Sequence, residues 1–101
     1  MVRYTDFLID RLVSALGEMR IMEETLLIFT SDNGTVGSMV GHIGDRSIPG
    51  GKAKTIETGV NIPFIASWPG TIPAGQVSEA LVDFTDIIPT FADLAGQPVP
   101  G

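Results

Sequence analysis

The chain has 101 residues, 44% of them hydrophobic, enough for one folded unit with an apolar core. Six Lys and Arg stand against 12 Asp and Glu, and a formal net charge of -6 argues against nucleic acid, whose binders carry basic patches. Cysteine is absent, which removes disulfides, thiolate zinc sites and a cysteine nucleophile from this chain; no apolar stretch reaches the roughly 18 residues of a membrane span.

The amino terminus, Met1-Val2-Arg3-Tyr4-Thr5-Asp6, lacks the apolar core of a signal peptide. Residues 5–20 read as an amphipathic helix. Phe7, Leu8, Leu12, Leu16 and Met19 recur at helical spacing, and Ile9 and Val13 widen the stripe. Asp6 near the start and Arg20 near the end suit the helix dipole. Such a helix is expected to pack on a sheet. Ile21-Met22-Glu23-Glu24 then turns into an apolar run. A helix followed closely by a strand is half of a βαβ unit, so an earlier strand is expected outside this chain.

That run, Thr25-Leu26-Leu27-Ile28-Phe29-Thr30-Ser31, reads as a strand over residues 25–31. Its near-continuous apolar character is that of a parallel strand covered on both faces. Asp32-Asn33-Gly34 follows at the end where ligands collect in open α/β sheets. By themselves these three residues read first as a turn, since Asn and Gly tolerate positive φ. The second reading is a pair of oxygen ligands for a hard cation.

Residues 32–59 show no clear period and are rich in glycine, which marks an active-site or mobile loop. Within it, Gly50-Gly51-Lys52 lets backbone approach an anion while the lysine supplies a charge. The P-loop frame is missing, and alone Lys52 reads more readily as an exposed loop lysine. His42 is a candidate acid/base group by residue type, yet a solitary histidine in such a loop is more often ordinary surface. Residues 63–67 read as a second buried strand, with Pro63 at its first position and Trp68-Pro69-Gly70 as the closing turn. Trp68 reads as packing rather than as a ligand-stacking platform. The last helix is placed at residues 86–95, with Asp86 as N-cap, Pro89 in the first turn and Gly96 as the stop. The fold class expected is α/β: part of a mostly parallel sheet flanked by helices, with residues 1–101 as one segment of a larger domain.

The order of these blocks resembles a known family. A helix enters Thr-Leu-Leu-Ile-Phe-Thr-Ser-Asp-Asn-Gly; a glycine-rich loop carries Gly-Gly-Lys-Ala-Lys-Thr-Ile-Glu-Thr-Gly; then come Ile-Pro-Phe-Ile-Ala-Ser-Trp-Pro-Gly and Val-Asp-Phe-Thr-Asp-Ile-Ile-Pro-Thr-Phe-Ala-Asp-Leu-Ala-Gly. Across essentially the whole chain this is similar to the carboxyl-side part of the catalytic domain of the formylglycine-dependent, arylsulfatase-like sulfatases of the alkaline phosphatase superfamily. The resemblance implies that Asp32 and Asn33 are ligands of a divalent cation, usually Ca²⁺, and that Lys52 contacts the sulfate ester. It gives Glu57 and Gly59 a supporting turn and gives His42 no role. An exported or lysosomal parent, periplasmic or secreted, is also implied.

Two departures stand out. Asn61 takes a place where the family often has Arg, and Glu57-Thr58-Gly59 replaces Glu-Gly-Gly. The Cys/Ser-x-Pro-x-Arg segment that yields the formylglycine nucleophile does not occur in these 101 residues. Ca²⁺ takes roughly 6–8 oxygen ligands, far more than Asp32 and Asn33 offer. The chain is therefore expected to be inactive alone and to serve within a longer enzyme that hydrolyses sulfate esters. A related phosphodiesterase or phosphonate-monoester hydrolase is one alternative, which Asn33 disfavours because those relatives more often place His there. A non-catalytic orphan fragment is the other. Expected partners are the sulfate-ester substrate and, through uncovered edges, other copies of the chain.

Overall fold

The computed structural model describes residues 2–99. Helix α1, Val2–Glu18, leads through a 3-10 turn at Met22–Glu24 into strand β1, Leu27–Thr30. Strands β2, Val40–Ile43, and β3, Arg46–Pro49, follow, then the one-turn helix α2, Glu57–Val60, and strand β4, Phe64–Ser67. A second 3-10 turn at Phe84–Asp86 runs into helix α3, Ile87–Leu94.

The mostly parallel sheet read from the apolar runs is not what forms. Strands β1 and β4 pair antiparallel, with Leu27 opposite Ser67 and Thr30 opposite Phe64. A second two-stranded antiparallel sheet joins β2 to β3. The reason lies in the connection. A parallel return needs a crossover long enough to carry the chain back along the sheet, usually a helix of several turns. Between β1 and β4 the chain instead spends its length on the β2–β3 hairpin and on α2, which spans 4 residues. It therefore re-enters at the end of β1 from which it left.

Register sorts the side chains of the larger sheet. Leu27 and Phe29 share a face with their partners Ser67 and Ile65. Val2, Thr5, Asp6 and Ile9 of α1 border the same groove, about 340 Å³ in volume, as those four sheet residues. Helix α1 starts at Val2, so Asp6 falls beyond its first turn, and it ends before Arg20. Neither charge acts on the helix dipole as the sequence suggested. The apolar stripe also exceeds what two strands can cover: Leu16 is buried, whereas Phe7 and Leu12 stay 52% and 49% exposed. The radius of gyration, 16.5 Å, exceeds the ~13 Å of a compact 100-residue domain.

Helix ends are closed by local chemistry. At the end of α3, Gly96 takes a φ of 65°. Its amide donates to Asp93 at 2.9 Å and the Gln97 amide to Ala92 at 2.8 Å, the paired bonds of a Schellman stop. The same pair closes α1, Arg20 to Gly17 at 3.0 Å and Ile21 to Leu16 at 3.2 Å, but with Arg20 in the left-handed position. Entry to α3 differs from the expectation that Asp86 caps it directly. Asp83 caps the preceding 3-10 turn, its Oδ1 accepting the Thr85 amide at 2.8 Å, while Asp86 Oδ2 accepts the Asp83 amide at 2.8 Å. The two acids form a reciprocal capping box. Trp68 is half-buried and its Nε1 donates to the carbonyl of Glu23 at 2.7 Å, tying the exit of β4 to the entry of β1.

Candidate functional site

Strand β1 delivers Ser31-Asp32-Asn33-Gly34 at its carboxyl end. The turn is held from within: Ser31 Oγ donates to the Asn33 carbonyl at 2.9 Å, and Asn33 Nδ2 donates to Asp32 Oδ2. That second bond uses the side-chain nitrogen of Asn33 and leaves its side-chain oxygen, Oδ1, uncommitted. Asp32 is exposed and Asn33 half-buried.

The glycine-rich segment is not the structureless loop its composition suggested. Strands β2 and β3 form a hairpin with Gly44 and Asp45 as its two-residue turn. Gly44 adopts a φ of 58°, the first central position of a II′ turn. The signal that would have found it is the Gly-Asp pair set between Val40-Gly41-His42-Ile43 and Arg46-Ser47-Ile48-Pro49.

Close backbone approaches at four glycines tie the segment carrying Lys52 together, and two of them, at Gly34 and Gly50, join it to the turn after β1. A Cβ on Gly34 would overlap the Thr58 carbonyl, and one on Gly50 would overlap the carbonyls of Thr35 and Val36. One on Gly51 would meet Thr58 Oγ1 and the Gly59 amide, and one on Gly59 the carbonyls of Lys54 and Gly51. Hydrogen bonds knit the same strands of chain together. The Gly34 amide donates to Gly59 at 2.9 Å, Lys52 to Thr35 at 3.0 Å and Gly50 to Met39 at 2.9 Å. Gly50, Gly51 and Gly59 are buried although most of the chain is not. Thr58 Oγ1 is buried in this knot without a hydrogen-bond partner.

Lys52 sits on a turn closed by the Lys54 amide donating to Gly51 at 2.9 Å. Ala53, at the third position of that turn, has a φ of 66°. Lys52 itself is exposed. The backbone thus brings the segment carrying Lys52 against the residues that follow Asp32 and Asn33. His42 faces Ser47 across the hairpin, its Nδ1 3.4 Å from Ser47 Oγ. Glu57 Oε1 accepts a hydrogen bond from Asn61 Nδ2.

A cleft of about 810 Å³ opens beside the knot. Asn33 and Gly34 form one part of its lining, Met39 and the hairpin residues Val40, Ile43 and Ile48 another, and Ile62 and Pro63 a third. Ser31, Thr35, His42, Glu57, Thr58 and Asn61 add polar groups, while Asp32 and Lys52 stand outside this lining.

As donors, an exposed carboxylate and a neighbouring amide oxygen fit a hard, oxygen-seeking cation. Among the described residues no group of three or more His, Cys, Asp and Glu could hold a metal ion. No helix among the described residues is long and apolar enough to cross a membrane.

Comparison with known proteins gives the family. The family model described as Sulfatase matches residues 1–97. The chain is 41% identical over 96 residues to arylsulfatase A of Homo sapiens, covering 94% of this chain and 19% of that protein. It is 41% identical over 101 residues to N-acetylgalactosamine-6-sulfatase of Canis lupus familiaris, covering 98% of this chain and 19% of that protein. Steryl-sulfatase of Homo sapiens is 38% identical over 105 residues, covering 98% of this chain and 18% of that protein. The chain thus spans about a fifth of the length of these curated relatives. With one family model across nearly every residue, and relatives of that kind throughout, the chain belongs to the sulfatase family.

Proposed function

We propose that this chain is the segment of a sulfatase catalytic domain that supplies part of a divalent-cation site and a sulfate-binding lysine. Asp32 and Asn33 would hold the cation, Ca²⁺ by the chemistry of their donors, and Lys52 would contact an oxygen of the sulfuryl group. The cation, when bound, supplies electrostatic stabilisation of charge on the transferring group. Lys52 adds a compact positive charge to the same end, and preorganised charges of this kind account for much of enzymatic rate enhancement. The reaction is hydrolysis of a sulfate ester, with a formylglycine nucleophile and further cation ligands contributed by sequence outside these residues. Residues 1–101 alone are inactive on this reading.

The observation that carries it is the backbone bond from the Lys52 amide to Thr35 at 3.0 Å, reinforced by the Gly34 to Gly59 bond at 2.9 Å. Through these, two segments of sequence that share no local pattern reach one place beside the end of β1. Ala53 held at positive φ beside Lys52 is the kind of strained turn that recurs where a side chain must be presented in one direction.

The test is expression of the complete gene product, together with a formylglycine-generating enzyme, and assay of sulfate-ester and phosphodiester hydrolysis with and without added Ca²⁺. Sulfate-ester hydrolysis that is lost on chelation and restored by Ca²⁺ supports the reading. Phosphodiester hydrolysis alone, or sulfatase activity indifferent to divalent cations, overturns it.

A further inference from the structure

We propose that Asn33-Gly34 is a site of spontaneous covalent modification, deamidation through a succinimide, and that the hydrogen bond from the Gly34 amide to Gly59 holds this reaction in check. The modification needs neither ester nor cation, so it stands or falls apart from the sulfatase reading.

Packing itself forces the labile pair. No side chain fits at position 34, because a Cβ there would overlap the Thr58 carbonyl. An asparagine followed by glycine is the pairing in which cyclisation is least hindered, since nothing shields the glycine nitrogen. That nitrogen attacks Cγ of Asn33. A new N–C bond closes the imide ring, the Cγ–Nδ2 bond breaks, and the Gly34 amide proton leaves with Nδ2 as ammonia. Water then opens the ring. Cleavage of the new bond gives aspartate, and cleavage of the original peptide bond gives isoaspartate, whose main chain runs through Cβ and Cγ.

Three bonds restrain the reacting atoms. The Gly34 amide, the nucleophile, donates to the Gly59 carbonyl at 2.9 Å. Asn33 Nδ2, the leaving group, donates to Asp32 Oδ2 and fixes the carboxamide. Ser31 Oγ donates at 2.9 Å to the Asn33 carbonyl, which belongs to the peptide unit that must rotate. A carboxylate in the same turn also disfavours the amide anion that attacks. Of the three bonds, the one to Gly59 ties the turn to a segment remote in sequence, so opening of the glycine knot is what frees the nucleophile. Asn61 is the contrast within the chain. β-Branched Ile62 follows it and crowds the attacking nitrogen whether the chain is folded or not.

Isoaspartate has a further consequence. It adds a carbon to the main chain between residue 33 and Gly34, which moves the Gly34 amide away from Gly59. A transient opening of the knot thereby becomes permanent.

The test follows Asn33 in the complete gene product at mildly alkaline pH, folded in buffer and unfolded in guanidinium chloride. Peptide mapping by mass spectrometry reads the conversion, and hydrogen exchange reads the Gly34 amide. Both processes need the same N–H released, so folding should slow both by one common factor, about tenfold or more, agreeing within about threefold. In the unfolded chain Asn33 should convert faster than Asn61. In the purified isoaspartyl form the Gly34 amide should exchange without protection. Conversion as fast folded as unfolded overturns the inference, as does an unfolded chain in which Asn33 is inert or slower than Asn61. Protection factors that disagree beyond that margin overturn the role of the Gly59 bond, and a protected Gly34 amide in the isoaspartyl form overturns the permanent opening.

Discussion

The amide of Lys52 donates to the carbonyl oxygen of Thr35 at 3.0 Å, placing a lysine loop against the turn that follows β1, with 16 residues of sequence and an entire hairpin between them. The bond exists because Gly50 has no Cβ to keep the two backbones apart. Sequence supplies the glycines, packing makes the contact, and the contact sets where a charge is presented.

Removing the Lys52 charge, or the Asp32 carboxylate, is the direct test of the site. In the complete gene product, Asp32→Ala and Lys52→Ala should each lower kcat by about 100-fold to 1,000-fold, the usual consequence of deleting one preorganised electrostatic group. Steady-state kinetics on a sulfate ester, with circular dichroism to confirm folding, decides the matter. Turnover within about threefold of the unsubstituted enzyme in both variants removes these residues from the mechanism.

Much that local chemistry encodes was legible. The apolar run before Asp32 becomes β1, the run after Pro63 becomes β4, and Gly96 closes α3 through the bonds a left-handed glycine permits. Direction of pairing was not legible, because a short apolar run reads the same whether its neighbour is parallel or antiparallel. The β2–β3 hairpin was missed by reading glycine richness as lack of structure, although Gly44-Asp45 is itself a hairpin signal. Arg20 and Ala53 at positive φ run against residue preference and are fixed by contacts a sequence does not display. Nor does any periodicity bring Gly34 to Thr58. For the candidate site, residue types came from sequence, while the tie between the two loops needed three dimensions.

The knot can be tested with two glycines that differ only in surroundings. Gly34→Ala would drive a Cβ into the Thr58 carbonyl, a backbone atom that cannot swing aside. We expect a loss of about 1–3 kcal/mol, as for other overpacked positions. Gly17 lies in α1 with nothing within 4 Å of the added Cβ, so Gly17→Ala should instead stabilise by about 0.5–1 kcal/mol through helix propensity. Thermal or denaturant unfolding of the complete gene product gives both values, and equal effects at the two positions would sink the knot.

The isolated 101 residues should not remain monomeric. Each sheet has two strands, so β1 and β4 each keep an unpaired edge, and Val77 and Leu81 are 92% and 100% exposed. Open edges and apolar surface both favour association. Sedimentation velocity at micromolar concentration should show oligomers. A sharp monomer boundary with a cooperative melt would mean that the chain is self-sufficient.

Acid should loosen the entry to α3 before the rest of the chain responds. Asp83 accepts the backbone amide of Thr85, which favours its ionised form and holds its carboxyl below the ordinary carboxylate range. A group with a depressed folded-state value adds stability above its unfolded value of about 3.9 and loses it as pH falls through the folded one. Hydrogen exchange at the amides of residues 84–88 should therefore accelerate, relative to other segments, as pH drops below about 4. Asp83→Asn keeps an acceptor oxygen without the charge and should abolish that local pH dependence. An identical profile in the variant would show that another group is responsible.

The turn that presents Lys52 carries strain that one substitution can relieve. Ala53 sits at φ 66° in the third position of the Gly51–Lys54 turn, where a residue with a Cβ is penalised. The left-handed region costs a non-glycine residue about 1–2 kcal/mol, and glycine gives back about 0.5–1 kcal/mol through greater freedom in the unfolded chain. Ala53→Gly should therefore stabilise the complete gene product by a net ~0.5 kcal/mol. Ala53→Val, β-branched, should destabilise it by more than that gain and lower kcat by displacing Lys52. Melting temperature and turnover measured on the same samples separate the two effects. If valine is tolerated at both readouts, the turn does not set the position of the lysine.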